Sequence, residues 1–266
     1  MAIQKINRGS LQRVTSLAAL AVLAVPRLGL TGADGAGPSA DRARIQEEMK
    51  QGGQAFRAGK YDEAQEHYWT ALKLDPTQKS AALLLGRSIR AQYKPGIADP
   101  QNVAKAREAI AVYEKVLHEN PGQDEAFAAV ADLYGALGES DHQREWILKR
   151  AKSERLGPPA RSSAYRRAAE LDLACARNIA NTDPSEADKC AARGLASVSQ
   201  AIALSGDDEG ALTTKTQLLH QRAKLAELQG ASAQKGAYEK QAAAAEKRIA
   251  TLREEARKKS EALPTY

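Results

Sequence analysis

The chain has 266 residues, of which 27% are charged and only 5% aromatic, with two Trp and two Phe. That length allows one extended domain or two compact ones. Alanine is abundant and β-branched residues never run in the alternating blocks that strands need, so strand-built folds are excluded and an all-α protein is expected. With so few aromatics, the core must come from Ala and Leu at close helix–helix contacts.

The N-terminus reads separately from the rest. Lys5, Arg8 and Arg13 precede the apolar run Val14–Val25, which small residues follow in LTGADGAGPSA. A basic start, a short apolar centre and a small-residue exit form the pattern of a secretory signal peptide, here residues 1–33 with a cut after Ala33. The run is twelve residues long, whereas a membrane span needs about 20. Arg27, close behind the run, keeps an uncleaved anchor open as the alternative. No cysteine follows the run, which argues against a lipoprotein.

This segment also reshapes the charge balance. The formal charge of +6 includes Lys5, Arg8, Arg13 and Arg27, with no acid before Asp34. Removing those four from the 39 basic residues leaves 35 against 33 acidic ones, a net of +2. The basic character therefore belongs mostly to the export segment, and nucleic acid is not an expected partner. Residues 34–41 read as a flexible linker, and no integral membrane span is expected once the signal is removed.

From Ile45 onward the pattern is helical and periodic. Ala64, Tyr68 and Ala71, at spacings of four and three, form one stripe on a helix. The upstream helix, IQEEMKQGGQAFRAGK, stops at Gly59, a residue suited to a helix C-cap. Asp75-Pro76 closes the second helix, because proline cannot continue it. The result is an antiparallel helical hairpin. Within it, YDEAQEHYWTALKLDP gathers acids, His67 and aromatics, but Tyr61 and Tyr68 fall on the packing stripe. Asp62, Glu63 and Glu66 fall on the solvent side or in the first turn, where acids suit the helix dipole.

The hairpin repeats. Gly86 in SAALLLGRSIRAQY stands thirty-four residues after Gly52, and AKAREAIAVYEKVLHENP carries Ala109, Tyr113, Val116 and Pro121 in the second-helix slots. The segment KPGIADPQN, residues 94–102, is an insertion between those two helices. A third unit carries Phe127, Val130, Ala131, Tyr134 and Gly138 in its first-helix slots, with Gln143 where a small residue is expected.

These residues resemble the tetratricopeptide repeat (TPR), most closely at 45–78, and the whole mature chain is similar to exported bacterial proteins of that type. The resemblance implies an α-solenoid of about five antiparallel helical hairpins winding as a right-handed superhelix. Three repeats occupy 42–156, divergent TPR-like helices occupy 157–232, and a final helix occupies 233–266. That helix carries Tyr238, Ala242, Ala245, Ile249, Leu252 and Ala256 at alternating four and three. The stripe suits either a cap over the last repeat or a coiled coil with another chain.

Cys175 and Cys190 lie symmetrically about the turn NTDP. In an antiparallel hairpin this pairs Ala164 with Ala201, Ala168 with Ser197, Leu171 with Gly194 and Cys175 with Cys190. A structural disulfide is the favoured reading in an oxidising compartment, with buried free thiols or a reactive pair as alternatives. A Cys-x-x-Cys motif is absent, and His67, His118, His142 and His220 are not spaced to complete a metal site. Nucleotide-binding loops and hydrolase motifs are absent as well, so neither a cofactor nor an enzymatic activity is expected.

By resemblance, function lies in the groove lined by the first helices. Those positions are Met49, Gly53, Phe56 and Arg57, then Leu83, Arg87 and Arg90, then Ala128, Asp132 and Gly135. Met49 and Gly53 stand where the family's carboxylate clamp would need Lys and Asn, so chaperone-tail binding is not implied. Arg57, Arg87 and Arg90 form either a basic strip for an acidic segment or a row of solvated arginines. The expected role is a non-catalytic protein–protein scaffold of the cell envelope, periplasmic or extracellular, binding another protein or an acidic peptide segment. The alternative is a structural protein that self-associates through its last helix.

Overall fold

The computed structural model describes residues 38–206 and 208–261. Residues 1–37, among them the segment read above as a signal peptide, residue 207 and residues 262–266 lie outside them. The described residues hold ten helices and no strand: α1 (Pro38–Arg57), α2 (Tyr61–Leu74), α3 (Lys79–Gln92), α4 (Pro100–Glu119), α5 (Asp124–Ala136), α6 (Ser140–Ala151), α7 (Pro158–Ile179), α8 (Pro184–Ser205), α9 (Glu209–Leu228) and α10 (Ser232–Glu261). Each packs on the next, and α7 also meets α9, so the chain stacks as five antiparallel hairpins in an α-solenoid.

The helix boundaries follow from caps. Residues 38–41, read above as linker, are the first turn of α1, with Asp41 placed to favour the helix dipole. The insertion is shorter than the sequence implied, because Pro100–Asn102 already belong to α4. Asp99 caps that helix by accepting from the backbone N–H groups of Gln101 and Asn102. Asn102 then ties the preceding loop, accepting from the Lys94 N–H at 2.8 Å and donating to the Lys94 and Ile97 carbonyls. Gly96 turns that loop with φ +80°, a conformation open to glycine and strained for other residues.

The core is a series of local contacts. A Cβ placed on Gly52 would lie 2.7 Å from Tyr68 Cε1, and one on Gly86 would lie 2.7 Å from Tyr113 Cε1. Each tyrosine ring thus lies flat on a glycine of the partner helix, and both side chains are fully buried. In the third hairpin Ala131 takes the glycine's place and Ile147 the tyrosine's, both within one buried cluster. A smaller second-helix side chain leaves room for a methyl. Gly86→Ala is therefore expected to destabilise by about 1–3 kcal/mol through overpacking, despite alanine's better helix propensity. Pairing it with Tyr113→Ile should recover part of the loss in chemical denaturation, and additive losses would refute the packing account. Burial also pushes the Tyr113 phenol up to about 12. Its folded pKa lies above the unfolded value near 10, so the contribution is complete below that pH and fades as pH rises through about 12.

The final helix lies on its neighbour. Ala242, Ala245 and Ile249 are buried, Leu252 is half-buried and Ala256 is exposed. Polar contacts flank the seam: Lys235 reaches Glu227 at 2.8 Å, His220 meets Glu246 at 2.9 Å, and Arg253 meets Glu209 at 2.7 Å. The Arg222 guanidinium lies 4.6 Å above the Tyr238 ring. The apolar stripe of α10 is thus engaged with α9 of the same chain, the arrangement of a cap.

Candidate functional site

The first helices α1, α3 and α5 carry the predicted groove residues. Met49, Phe56 and Leu83 are half-buried and pack against the main core cluster. Gly53 is half-buried, with Arg57 Nη1 3.6 Å from where its Cβ would stand. Arg57 is exposed and makes no ion pair among the described residues.

The other two predicted arginines are engaged by the next repeat. Arg87 donates through Nε and Nη2 to the two carboxylate oxygens of Glu125 on α5. Arg90 lies 3.5 Å from Asp132, which also accepts from Arg167 Nη2 of α7 at 2.6 Å. The predicted strip is therefore a ladder of alternating charges that crosslinks α3, α5 and α7. Ala128 is half-buried and Gly135 exposed beside the Gln143 amide. Glu125 and Arg167 went unrecognised in the sequence. The available signal was a recurring separation, since the carboxylates facing Arg87 and Arg90 lie 38 and 42 residues further on.

The groove continues over α7 and α9 as a cavity of about 510 Å³ lined by Arg166, Glu170, Arg177, Gly210 and Thr213, among others. Arg166 Nη1 donates to Glu170 at 2.7 Å, while its Nε is buried without a hydrogen-bond partner. The divergent sequence of this half had concealed these cations.

His67 and the acids Asp62 and Glu63 of the second helix have structural partners. His67 Nδ1 lies 2.8 Å from Glu48 on α1, across the hairpin, and Asp62 accepts from Gln92 of α3 at 2.6 Å. Among the described residues no three His, Cys, Asp or Glu side chains are grouped to hold a metal ion. Cys175 and Cys190 are disulfide-bonded, with their Cα atoms 6.0 Å apart. Beside the bond, Arg193 Nη2 lies 3.2 Å from Cys190 Sγ, and its Nε lies 3.4 Å from the buried Asp172.

No protein-family model and no curated relative matches the sequence. Among solved structures, the chain is similar to a crystal structure of MamA, with 14% identity and a TM-score of 0.45 over 79% of this chain and 96% of that one. It is also similar to MamA 41-end from Desulfovibrio magneticus RS-1, with 11% identity, a TM-score of 0.42, and 80% and 96% coverage. A TPR repeats protein from Bacteroides fragilis NCTC 9343 shows 16% identity and a TM-score of 0.45 over 77% and 86% of the two chains.

Proposed function

We propose that this chain is a non-catalytic protein–protein scaffold whose groove of first helices holds an acidic segment of a partner. One observation carries the reading. Arg57, Arg87, Arg90, Arg166, Arg167 and Arg177 outnumber the neighbouring carboxylates Glu125, Asp132, Glu170 and Glu209, leaving the groove cationic. Arg57 has no ion-pair partner among the described residues, and the Arg166 Nε lacks an acceptor. An incoming acidic segment supplies a carboxylate to the exposed Arg57, while the paired arginines line the groove beyond it. The half-buried Met49, Phe56 and Leu83 add apolar contact beside the cations.

The same reading places the protein in the cell envelope. The signal-type pattern of residues 1–33 and the Cys175–Cys190 bond both suit an oxidising compartment. No described helix is long and apolar enough to cross a membrane.

A fluorescein-labelled peptide of alternating Asp and Glu tests the groove by anisotropy. Binding is expected to weaken with rising salt, because the contributing charges are exposed. Arg57→Glu combined with Arg90→Glu should lower affinity by about tenfold, the loss of two exposed pairs of up to about 1 kcal/mol each with added repulsion. Unchanged affinity in that double variant would remove the acidic-segment reading.

A further inference from the structure

A second site lies on the face built by the second helices. Between α4 and α6 the surface opens into a cavity of about 450 Å³. Its floor is aromatic: Phe127 of α5 and Trp146 of α6 stack with ring centroids 6.3 Å apart and planes 18° from parallel. Leu117, Pro121 and Leu156 complete the apolar lining.

The floor is held from below. The Trp146 indole N–H donates to the Phe127 carbonyl at 3.3 Å. Arg150, buried, lays its guanidinium 4.4 Å above the Phe127 ring, donates to the Pro121 carbonyl at 2.9 Å and pairs with Asp124. With its donors engaged, Arg150 acts as a rigid wall carrying charge. Two further cations stand on the rim. Arg155 makes no ion pair among the described residues, and the Lys149 ammonium lies 5.9 Å from the Trp146 ring centroid without a carboxylate partner. Glu114 is the one carboxylate in the lining, and it borders a neighbouring cavity of about 460 Å³ that also includes Lys149 and Trp146. Arg155 is thus an open guanidinium of the first cavity, beside the Lys149 ammonium.

We propose that this cleft is a second docking site, taking a peptide segment that carries a bulky apolar side chain next to a carboxylate. The apolar side chain sits on the Phe127–Trp146 floor and the carboxylate meets Arg155, with Lys149 and Arg150 adding cationic field. The preformed aromatic floor limits the ordering cost on binding, and the open guanidinium offers paired donors to a carboxylate. An aromatic floor with an arginine beside it is the composition that anchors peptides at interfaces. A neutral apolar segment would leave Arg155 without a partner, so charge selects the acidic one. The two linings share no residue, although the groove's Arg167 lies 6.0 Å from the Phe127 ring centroid, so one chain has two adjoining faces on which to join partners.

The test uses the full chain with Trp69→Phe, which leaves Trp146 as the only tryptophan because the chain has two. Trp69 is exposed on α2, away from the cleft. The probes are acetyl-Asp-Phe-Asp-Leu-amide and its Asn-for-Asp counterpart. The acidic probe should change Trp146 emission saturably, and the Asn probe should bind at least about fivefold more weakly. Arg155→Ala should weaken the acidic probe to a similar degree, and Ser153→Glu, placing a carboxylate in the lining, should abolish its binding. Circular dichroism checks that both variants stay folded. Arg57→Glu/Arg90→Glu, which disables the groove, should leave the Trp146 titration unchanged, so the two sites succeed or fail independently. Equal binding of the two probes, an unaffected Arg155→Ala variant, or no saturable change would each overturn the proposal.

Discussion

Asp172→Ala is expected to destabilise the protein by about 3 kcal/mol, the largest loss from any single carboxylate here. Asp172 is 2% exposed on α7. Its two oxygens accept from Arg144 Nε of α6 at 2.9 and 3.1 Å, and Arg193 Nε of α8 lies at 3.4 Å. One carboxylate thereby joins three consecutive helices across the border between the regular repeats and the divergent half. Removing one partner of a buried pair costs about 3–5 kcal/mol, because the remaining charge loses its compensation. The lower end applies here, since the Arg144 and Arg193 side chains are 25% and 44% exposed and can recover water. Asp172→Asn retains the shape and one acceptor and should cost less. At about 2–4 °C per kcal/mol for a chain of this size, the alanine variant should melt about 6–12 °C lower. Much of the loss should persist in ~1 M salt, unlike the loss on breaking the exposed Arg253–Glu209 pair. A shift of under about 2 °C would show that Asp172 does not couple the two halves.

Breaking the disulfide is expected to cost a comparable amount. Cys175 and Cys190 are 15 residues apart, and closing a loop of that size restricts the unfolded chain by about 3 kcal/mol. Cys190 is fully buried and Cys175 half-buried, so a reductant reaches the bond from the α7 side and slowly. The double variant Cys175→Ser/Cys190→Ser and the reduced wild type should melt at similar temperatures, both below the oxidised protein. Peptide mapping without reductant should recover the two cysteines linked. Free thiols in protein purified under oxidising conditions, or an unchanged melting temperature on reduction, would refute this account.

The two predictions share Arg193, which touches both Asp172 and Cys190. Their effects should therefore fail to add when Asp172→Ala and the cysteine variant are combined. This cluster marks how far the sequence could be read. The numerical symmetry about NTDP placed Cys175 opposite Cys190, which are bonded. It also placed Leu171 opposite Gly194, whereas the Cβ of Asp172 fills that place, 3.1 Å from where a Gly194 Cβ would stand. A one-residue offset turns a helix face by about 100°, enough to exchange an apolar seam residue for a buried carboxylate. The compensating Arg144 comes from the preceding hairpin, where no local pattern points to it.

The amino-acid sequence alone determined the helical period and the hairpin repeat, because each depends on residues close along the chain. Gly52 and Gly86, and Tyr68 and Tyr113, stood out in sequence by their repeat spacing, and the structure pairs each glycine with its tyrosine. Tertiary structure alone decided which groove arginines remain open. Arg57, Arg87 and Arg90 look alike in sequence, yet Arg87 and Arg90 meet Glu125 and Asp132 once α3 packs beside α5. It likewise brought Phe127, Trp146 and Arg155 around one cleft. Charge pairing and cavity formation depend on distances between stacked hairpins, and these are set by the tilt of one hairpin on the next.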